Sequence, residues 1–166
     1  MAALISINKP HTDNIFIHKK KKVEWRKHPL PLTTHYCYET KNKGGIGKVI
    51  GQFNVVQNVK FDPLNHHWYS SEFIEEGCVP IEDLLEYADG DIIYGNVLED
   101  VQRYDTPRDL SDFVRVCNGE NTFGCTECEY FRLLENPYYK CLCNHLKPLT
   151  RPPQSWCYIE EGGTSK

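Results

Sequence analysis

The stretch HKKKKVEWRKH, His18 to His28, places six of the chain's nineteen basic residues in eleven positions, with one acid, Glu24, and one tryptophan, Trp25, inside it. Read as charge alone, it is a solvated run, a nucleic-acid grip or one wall of an active site. Read for period, Lys22 to Lys27 alternates as K-V-E-W-R-K, the two-residue repeat of a strand. Val23 and Trp25 then face one side of a sheet, and Glu24 and Arg26 face the other. The run is therefore expected to be part of a folded sheet, with Lys19 to Lys22 as the turn that leads into it.

The flanking sequence supplies the rest of the fold. Upstream, ALISIN is a short apolar first strand. KPHTDNIFIHKK reads as a helix of about three turns, with Pro10 in its first turn and Ile15 and Phe16 facing inward. Downstream, Pro29 and Pro31 break the chain. THYCYET is β-branched and aromatic, hence a strand. KNKGGIGK is a turn, and VIGQFNVVQNVKF is a long strand whose Gly51 marks a bulge or a barrel corner. His66 to Glu76 fits neither period. PIEDLLEYA carries Ile81, Leu84, Leu85 and Ala88 on one helical face. Ile92 to Tyr104 reads as a strand pair or one bent strand, DLSDF as a helical turn capped by Asp109, and Ser155 to Glu160 as a last strand. Many short strands with two or three short helices predict an α+β fold built on a small mixed β-barrel.

The chain of 166 residues suits one ordinary domain, and 40% hydrophobic content is enough for a packed core. The expected division is a barrel formed by residues 1–116 and 149–161, a cysteine-rich insert over 117–148, and a disordered tail over 162–166. No apolar run approaches the length of a membrane span, and the N-terminus lacks the pattern of a secretory signal, so a soluble cytoplasmic protein is expected. Net charge is −4, yet residues 1–60 carry eleven Lys/Arg against three Asp/Glu, while 61–166 carry eight against twenty. Such a division predicts a localised positive face.

Six of the eight cysteines, Cys117, Cys125, Cys128, Cys141, Cys143 and Cys157, crowd into the last 50 residues. In a chain without a signal peptide, a disulfide scaffold is not expected. Cys125-x-x-Cys128 offers two thiolates from one turn, and Cys141-x-Cys143, followed by His145, offers a second pair. These four are the first choice for a structural zinc site, with Cys117 as substitute for one of the latter pair. Zinc would let a segment with little apolar periodicity fold. The alternative is free thiols in a loop. An all-thiolate set leaves no open position for catalysis by the metal.

With these elements in place, the chain resembles the ASCH domain, a branch of the PUA-like barrels. KKKKVEWRK is similar to the family's GxKxxExR motif, with Lys21 at the lysine, Glu24 at the acid and Arg26 at the arginine. Lys19 stands where the family usually has glycine, which is a departure in the turn before the strand. THYCYET, KVIGQFNV, VQRYDTPRDLSDF and PPQSWCYIEE follow in the family's order, so the resemblance covers nearly the whole chain except the insert. It is particularly close to small ASCH proteins of bacteria and their phages, several of which carry a similar cysteine-rich segment.

The resemblance implies a binding module for RNA or a modified nucleotide. Its cleft would be lined by Lys21, Glu24 and Arg26, with Tyr38, Lys41 and Trp156 as stacking or phosphate contacts. Two cations beside one carboxylate keep all three charged and suit a polar, planar or phosphorylated ligand. The plainer alternative is a surface ion pair between Glu24 and Arg26 of little energetic weight. Some relatives resemble an amidohydrolase acting on N4-acylated cytidine through lysine, threonine and glutamate. Lys21 matches that lysine, but Glu24 stands at the threonine position, so the nucleophile is missing. Others are associated with ribonuclease activity, in which Lys21 and Arg26 would bind phosphate and Glu24 would act as base. A third class is a phage-encoded inhibitor that contacts a protein partner through the insert. GGIGK lacks the spacing of a phosphate loop, and no GxSxG, HExxH or Rossmann fingerprint occurs.

Overall fold

A computed structural model describes residues 2–115 and 147–161. The chain forms β1 (Ala2–Ile7), α1 (His11–Phe16), β2 (Val23–Arg26), β3 (Thr34–Glu39), β4 (Lys48–Phe61), α2 (Ser71–Glu75), α3 (Ile81–Ala88), β5 (Ile93–Arg108), β6 (Phe113–Arg115), β7 (Lys147–Pro148) and β8 (Trp156–Glu161). Single turns of 3₁₀-helix lie at Asn42–Gly44, Pro63–Trp68 and Leu110–Asp112.

All eight strands share one sheet in the order β2-β5-β4-β3-β1-β8-β6-β7. β1 runs parallel to β3, and every other pairing is antiparallel. The mixed α+β class therefore holds, but the barrel is open. Among the described residues, β2 and β7 are the two ends of the order and do not pair with each other. Curvature comes from β4 and β5, whose pairing slips at three places between Val49 and Gln57. Each slip inserts a bulge that bends the ladder without closing it. Gly51 sits at the first slip, as its sequence context predicts. A Cβ there would lie 2.3 Å from the Gln102 carbonyl oxygen and 2.6 Å from Phe16, so the glycine lets α1 pack directly on the strand.

Of the two readings of Ile92 to Tyr104, one bent strand holds and the strand pair does not; the strand starts at Ile93 and continues beyond Tyr104 to Arg108. α1 is also shorter than three turns. It stops at Phe16 because the chain reverses there: the Ile17 and His18 N–H groups both donate to the Asp13 carbonyl, at 2.9 Å each. The ambiguous segment after His66 resolves into the end of a 3₁₀ turn and the five-residue α2.

Three apolar clusters hold the layers together. Ile15 and Phe16 of α1 pack on Ile5, Ile7, Cys37, Phe53 and Val55 of the sheet. Leu4, Tyr38, Val49, Phe113, Cys157 and Ile159 fill a second cluster. Val23 and Trp25 of β2 meet Phe61, Ile93 and the Leu84 and Ala88 face of α3 in the third. Trp25 is set edge-on to Phe61 at 5.2 Å and to Phe73 at 5.5 Å. The strand period read from K-V-E-W-R-K is thus realised, with one face of β2 sealed in the core.

One core residue makes the fold sensitive to acid. His35 of β3 is fully buried and stacks on Phe53 at 5.8 Å, with Nδ1 3.0 Å from the Thr33 carbonyl oxygen. Burial pushes the imidazole from 6.5 down to about 4. The unfolded chain takes up this proton as pH falls through 6.5, while the folded chain resists it to about 4, so stability is lost across that window and levels off below it. The full effect is about 3 kcal/mol. Chemical denaturation from pH 7 to pH 4 is expected to show the decline, and His35→Leu to remove most of its slope.

Candidate functional site

The polar face of β2 opens into a cavity of about 710 Å³. Three parts of the chain deliver its floor. The turn after α1 brings in Lys21, whose N–H donates to the Asn14 carbonyl at 3.1 Å. The Lys20 N–H donates to the same oxygen at 2.9 Å, so this turn is tied to α1 through one acceptor. Its sharp reversal passes through Lys19, which adopts the left-handed backbone at φ 52°. Glycine suits that conformation better than lysine does, so Lys19 keeps the turn at a steric cost.

Lys21 then reaches across to the loop after α2. Its ammonium donates to the Gly77 carbonyl and lies 3.4 Å from Glu24 Oε2. Backbone bonds fasten the same region, since the Lys22 and Val23 N–H groups donate to the Glu76 carbonyl at 2.8 and 3.1 Å. A Cβ on Gly77 would lie 1.9 Å from Trp25 Nε1, so only glycine brings this carbonyl so close to the strand.

Glu24 occupies the centre. Oε1 accepts from Arg26 Nε at 2.9 Å, and Oε2 faces Lys21. Arg26 also donates through Nη2 to the Ser6 carbonyl at 2.9 Å, which links β2 to the far end of β1. Side-chain exposure is 1% for Lys21, 8% for Glu24 and 19% for Arg26, so this is no surface ion pair. Burial works against ionisation of Glu24, but the neighbouring Lys21 and Arg26 charges outweigh it and hold the carboxyl below its ordinary range. Below the strand, buried Asn96 donates to the Glu24 carbonyl at 2.7 Å and accepts from Leu30 N–H at 2.9 Å and Asn58 Nδ2 at 2.8 Å.

The walls differ in character. Ser6, Asn8, Thr40 and Asn42 make one side polar, while Val79, Pro80, Leu84 and Tyr87 make the α3 side largely apolar. Tyr87 is 42% exposed, and Lys27 Nζ stands 5.6 Å from its ring centre. His11, at the start of α1, also lines the cavity, and its Nδ1 is buried without a hydrogen-bond partner. Burial, then the Lys21 charge, hold its imidazole below the usual histidine range, against an opposing pull from Glu24.

The structure thus brings Lys21, Glu24 and Arg26 together as the sequence predicts, and sets the other three candidates apart from the cavity lining. Tyr38 is a core residue beside Leu4 and Val49. The exposed Lys41 lays its aliphatic stem over Gly47. Trp156 packs on the first apolar cluster and edge-on against Tyr158 at 5.2 Å. His11, Tyr87 and Asn96 were missed. Tyr87 had a signal, since it falls outside the apolar stripe of α3, whereas His11 and Asn96 are joined to β2 only by tertiary structure.

The proposed zinc ligands Cys125, Cys128, Cys141 and Cys143, and their substitute Cys117, lie outside the described residues. Among the described residues, no group of three or more His, Cys, Asp or Glu could hold a metal, and Cys37, Cys78 and Cys157 are free. No helix among them is long and apolar enough to cross a membrane.

Several solved structures are similar to this chain. The ASCH protein of Zymomonas mobilis is 21% identical, matching 96% of this chain and 87% of its own with a TM-score of 0.60. A serine-to-alanine variant of that protein matches at 20% identity, 96% and 88% coverage and a TM-score of 0.61. A tyrosine-to-phenylalanine variant matches at 21% identity, 96% and 90% coverage and a TM-score of 0.59. This likeness shows that the chain has the ASCH fold. No protein-family model matches the chain, and no curated protein does.

The strained turn gives a direct test of the motif's geometry. Lys19 is exposed and left-handed, so Lys19→Gly removes a steric cost and no contact with the floor. It is expected to raise the stability of the chain by up to about 1 kcal/mol. Equilibrium denaturation of the two proteins measures this, and a destabilised variant would contradict the role assigned to the turn.

Proposed function

We propose that this ASCH-fold chain is a binding module that holds an RNA segment or a modified nucleotide in the β2 cavity. The observation that carries the reading is the buried floor in which two cations, Lys21 and Arg26, flank one ionised carboxylate beneath an open cavity of about 710 Å³. Such a floor offers charge-assisted contacts to a phosphate or a polar base edge, and the Tyr87 wall offers a flat surface for a base. The cavity is wide enough for one nucleotide unit at a time.

Hydrolysis through Glu24 is less well supported. A general base works best when its proton affinity lies near the operating pH. Both Glu24 oxygens already face cations, and those cations hold the carboxylate ionised, which weakens it as a base. The amidohydrolase reading also lacks its nucleophile, because Glu24 stands where that chemistry needs threonine.

Fluorescence anisotropy with labelled single-stranded RNA and with labelled nucleoside monophosphates tests the reading. Binding is expected to weaken steeply with salt, as cation–phosphate contacts require. Tyr87→Ala is expected to weaken it by about 1–3 kcal/mol, the value of one stacked base. Lys21→Met is expected to weaken it at least as much while thermal unfolding confirms a folded chain. Binding that ignores both substitutions would place the ligand elsewhere, and multiple-turnover release of product would replace the module with an enzyme.

A further inference from the structure

We infer that His11 is a fourth member of the binding floor, which takes up a proton when a doubly charged oxyanion of the phosphate class enters the cavity beside Lys21 and Arg26. This rests on the proposed binding site and names the ligand group that the floor is built to receive.

The inference starts from charge. Both oxygens of Glu24, the buried carboxylate of the cavity lining, are engaged, Oε1 by Arg26 and Oε2 by Lys21. Buried Glu39 lies outside the lining and accepts from Thr12 Oγ1 and the Ile46 N–H. Two cations against one anion leave the floor with one positive charge beyond what Glu24 compensates. His11 lines the same cavity at the start of α1. Its Nδ1 is shielded from water and meets no partner in the protein. A buried ring nitrogen without a partner is costly.

The groups that act on the imidazole are set on each element around it. Lys21 and Arg26 oppose its protonation from the turn before β2 and from β2 itself, Lys43 opposes it from the 3₁₀ turn over Asn42–Gly44, and Glu24 favours it. Across the cavity, Asp83 of α3 lines the rim but is exposed, where solvent screens its charge. On its own helix, Asp13 is directed to Lys9, 3.9 Å away. Burial and the cations keep the empty site's histidine neutral. A dianion that enters the cavity over this floor reverses the sign of the field at His11, so the same burial that disfavoured imidazolium then strengthens its attraction to the ligand. Binding becomes proton-linked, and an uncharged or cationic ligand gains nothing from His11.

Sulfate is the probe, because its charge is fixed across the histidine range and any proton taken up belongs to the protein. The ring resonances of His11 are followed by NMR from pH 5 to pH 8.5 in sulfate and in chloride at equal ionic strength. Sulfate is expected to move the His11 midpoint upward by about one unit, and sulfate affinity to fall several-fold as pH rises through the histidine range. His11→Gln is expected to abolish the pH dependence of sulfate affinity. An unchanged His11 midpoint in sulfate, or a pH dependence that survives in His11→Gln, overturns the inference. The binding reading is scored separately: nucleotide binding that needs Lys21 while sulfate leaves His11 unmoved keeps the module and discards the proton linkage. A His11 midpoint that sulfate moves, with no nucleotide bound, keeps the oxyanion site and discards the nucleotide.

Discussion

The carboxylate of Glu24 is the constraint on which the rest of the site depends. A buried anion is tolerated only where cations and donors surround it, and this one is surrounded by groups from separate parts of the chain. Lys21 comes from the turn after α1 and is itself held by the Gly77 carbonyl of the loop after α2. Arg26 lies two residues along the same strand and reaches the end of β1. Removing the carboxylate would leave two buried cations facing each other, so the charge that organises the cavity also commits these elements to one arrangement. A well-packed apolar set could replace the trio energetically but would leave the cavity without a charged floor.

The opposite face of β2 explains how such a floor is afforded. Val23 and Trp25 are sealed against Phe61, Ile93 and α3, which fixes the strand's rotation and therefore the direction of Glu24 and Arg26. Asn96 holds the backbone at Glu24 from the neighbouring strand. The site is thus rigid at its floor and framed by side chains of contrasting character, polar from β1 and the loop after β3, and apolar from α3. That contrast suits a ligand with a charged end and a flat end, as a nucleotide has.

Much of this was legible in the sequence because the decisive pattern is local. The alternation in KVEWRK reports a strand with two unlike faces and sets Glu24 and Arg26 opposite Val23 and Trp25, whereas Lys21 is singled out from its lysine neighbours only by the resemblance to the ASCH motif. Gly51 at a bulge and the apolar stripe of α3 were likewise readable from short-range rules. What failed depended on distance in the chain. Whether a bent sheet closes is decided by pairing between its end strands, which no local period encodes, and here the described sheet stays open. Tyr38 has the chemistry of a stacking residue, but Leu4, Val49 and Phe113 from other strands enclose it in the core. His11 lies ten positions before Lys21, and only the reversal through Lys19 carries the two into one cavity.

The central claim is that the Lys21–Glu24–Arg26 floor is where ligand binds. The most direct measurement is a crystal structure of the chain grown with a nucleoside monophosphate. The account predicts the phosphate over the Lys21–Glu24–Arg26 floor within reach of Arg26 and His11, with the base lying along the Tyr87 wall and the Glu24 ion pairs intact. A nucleotide bound at any other surface, with the β2 cavity holding only water, would contradict it.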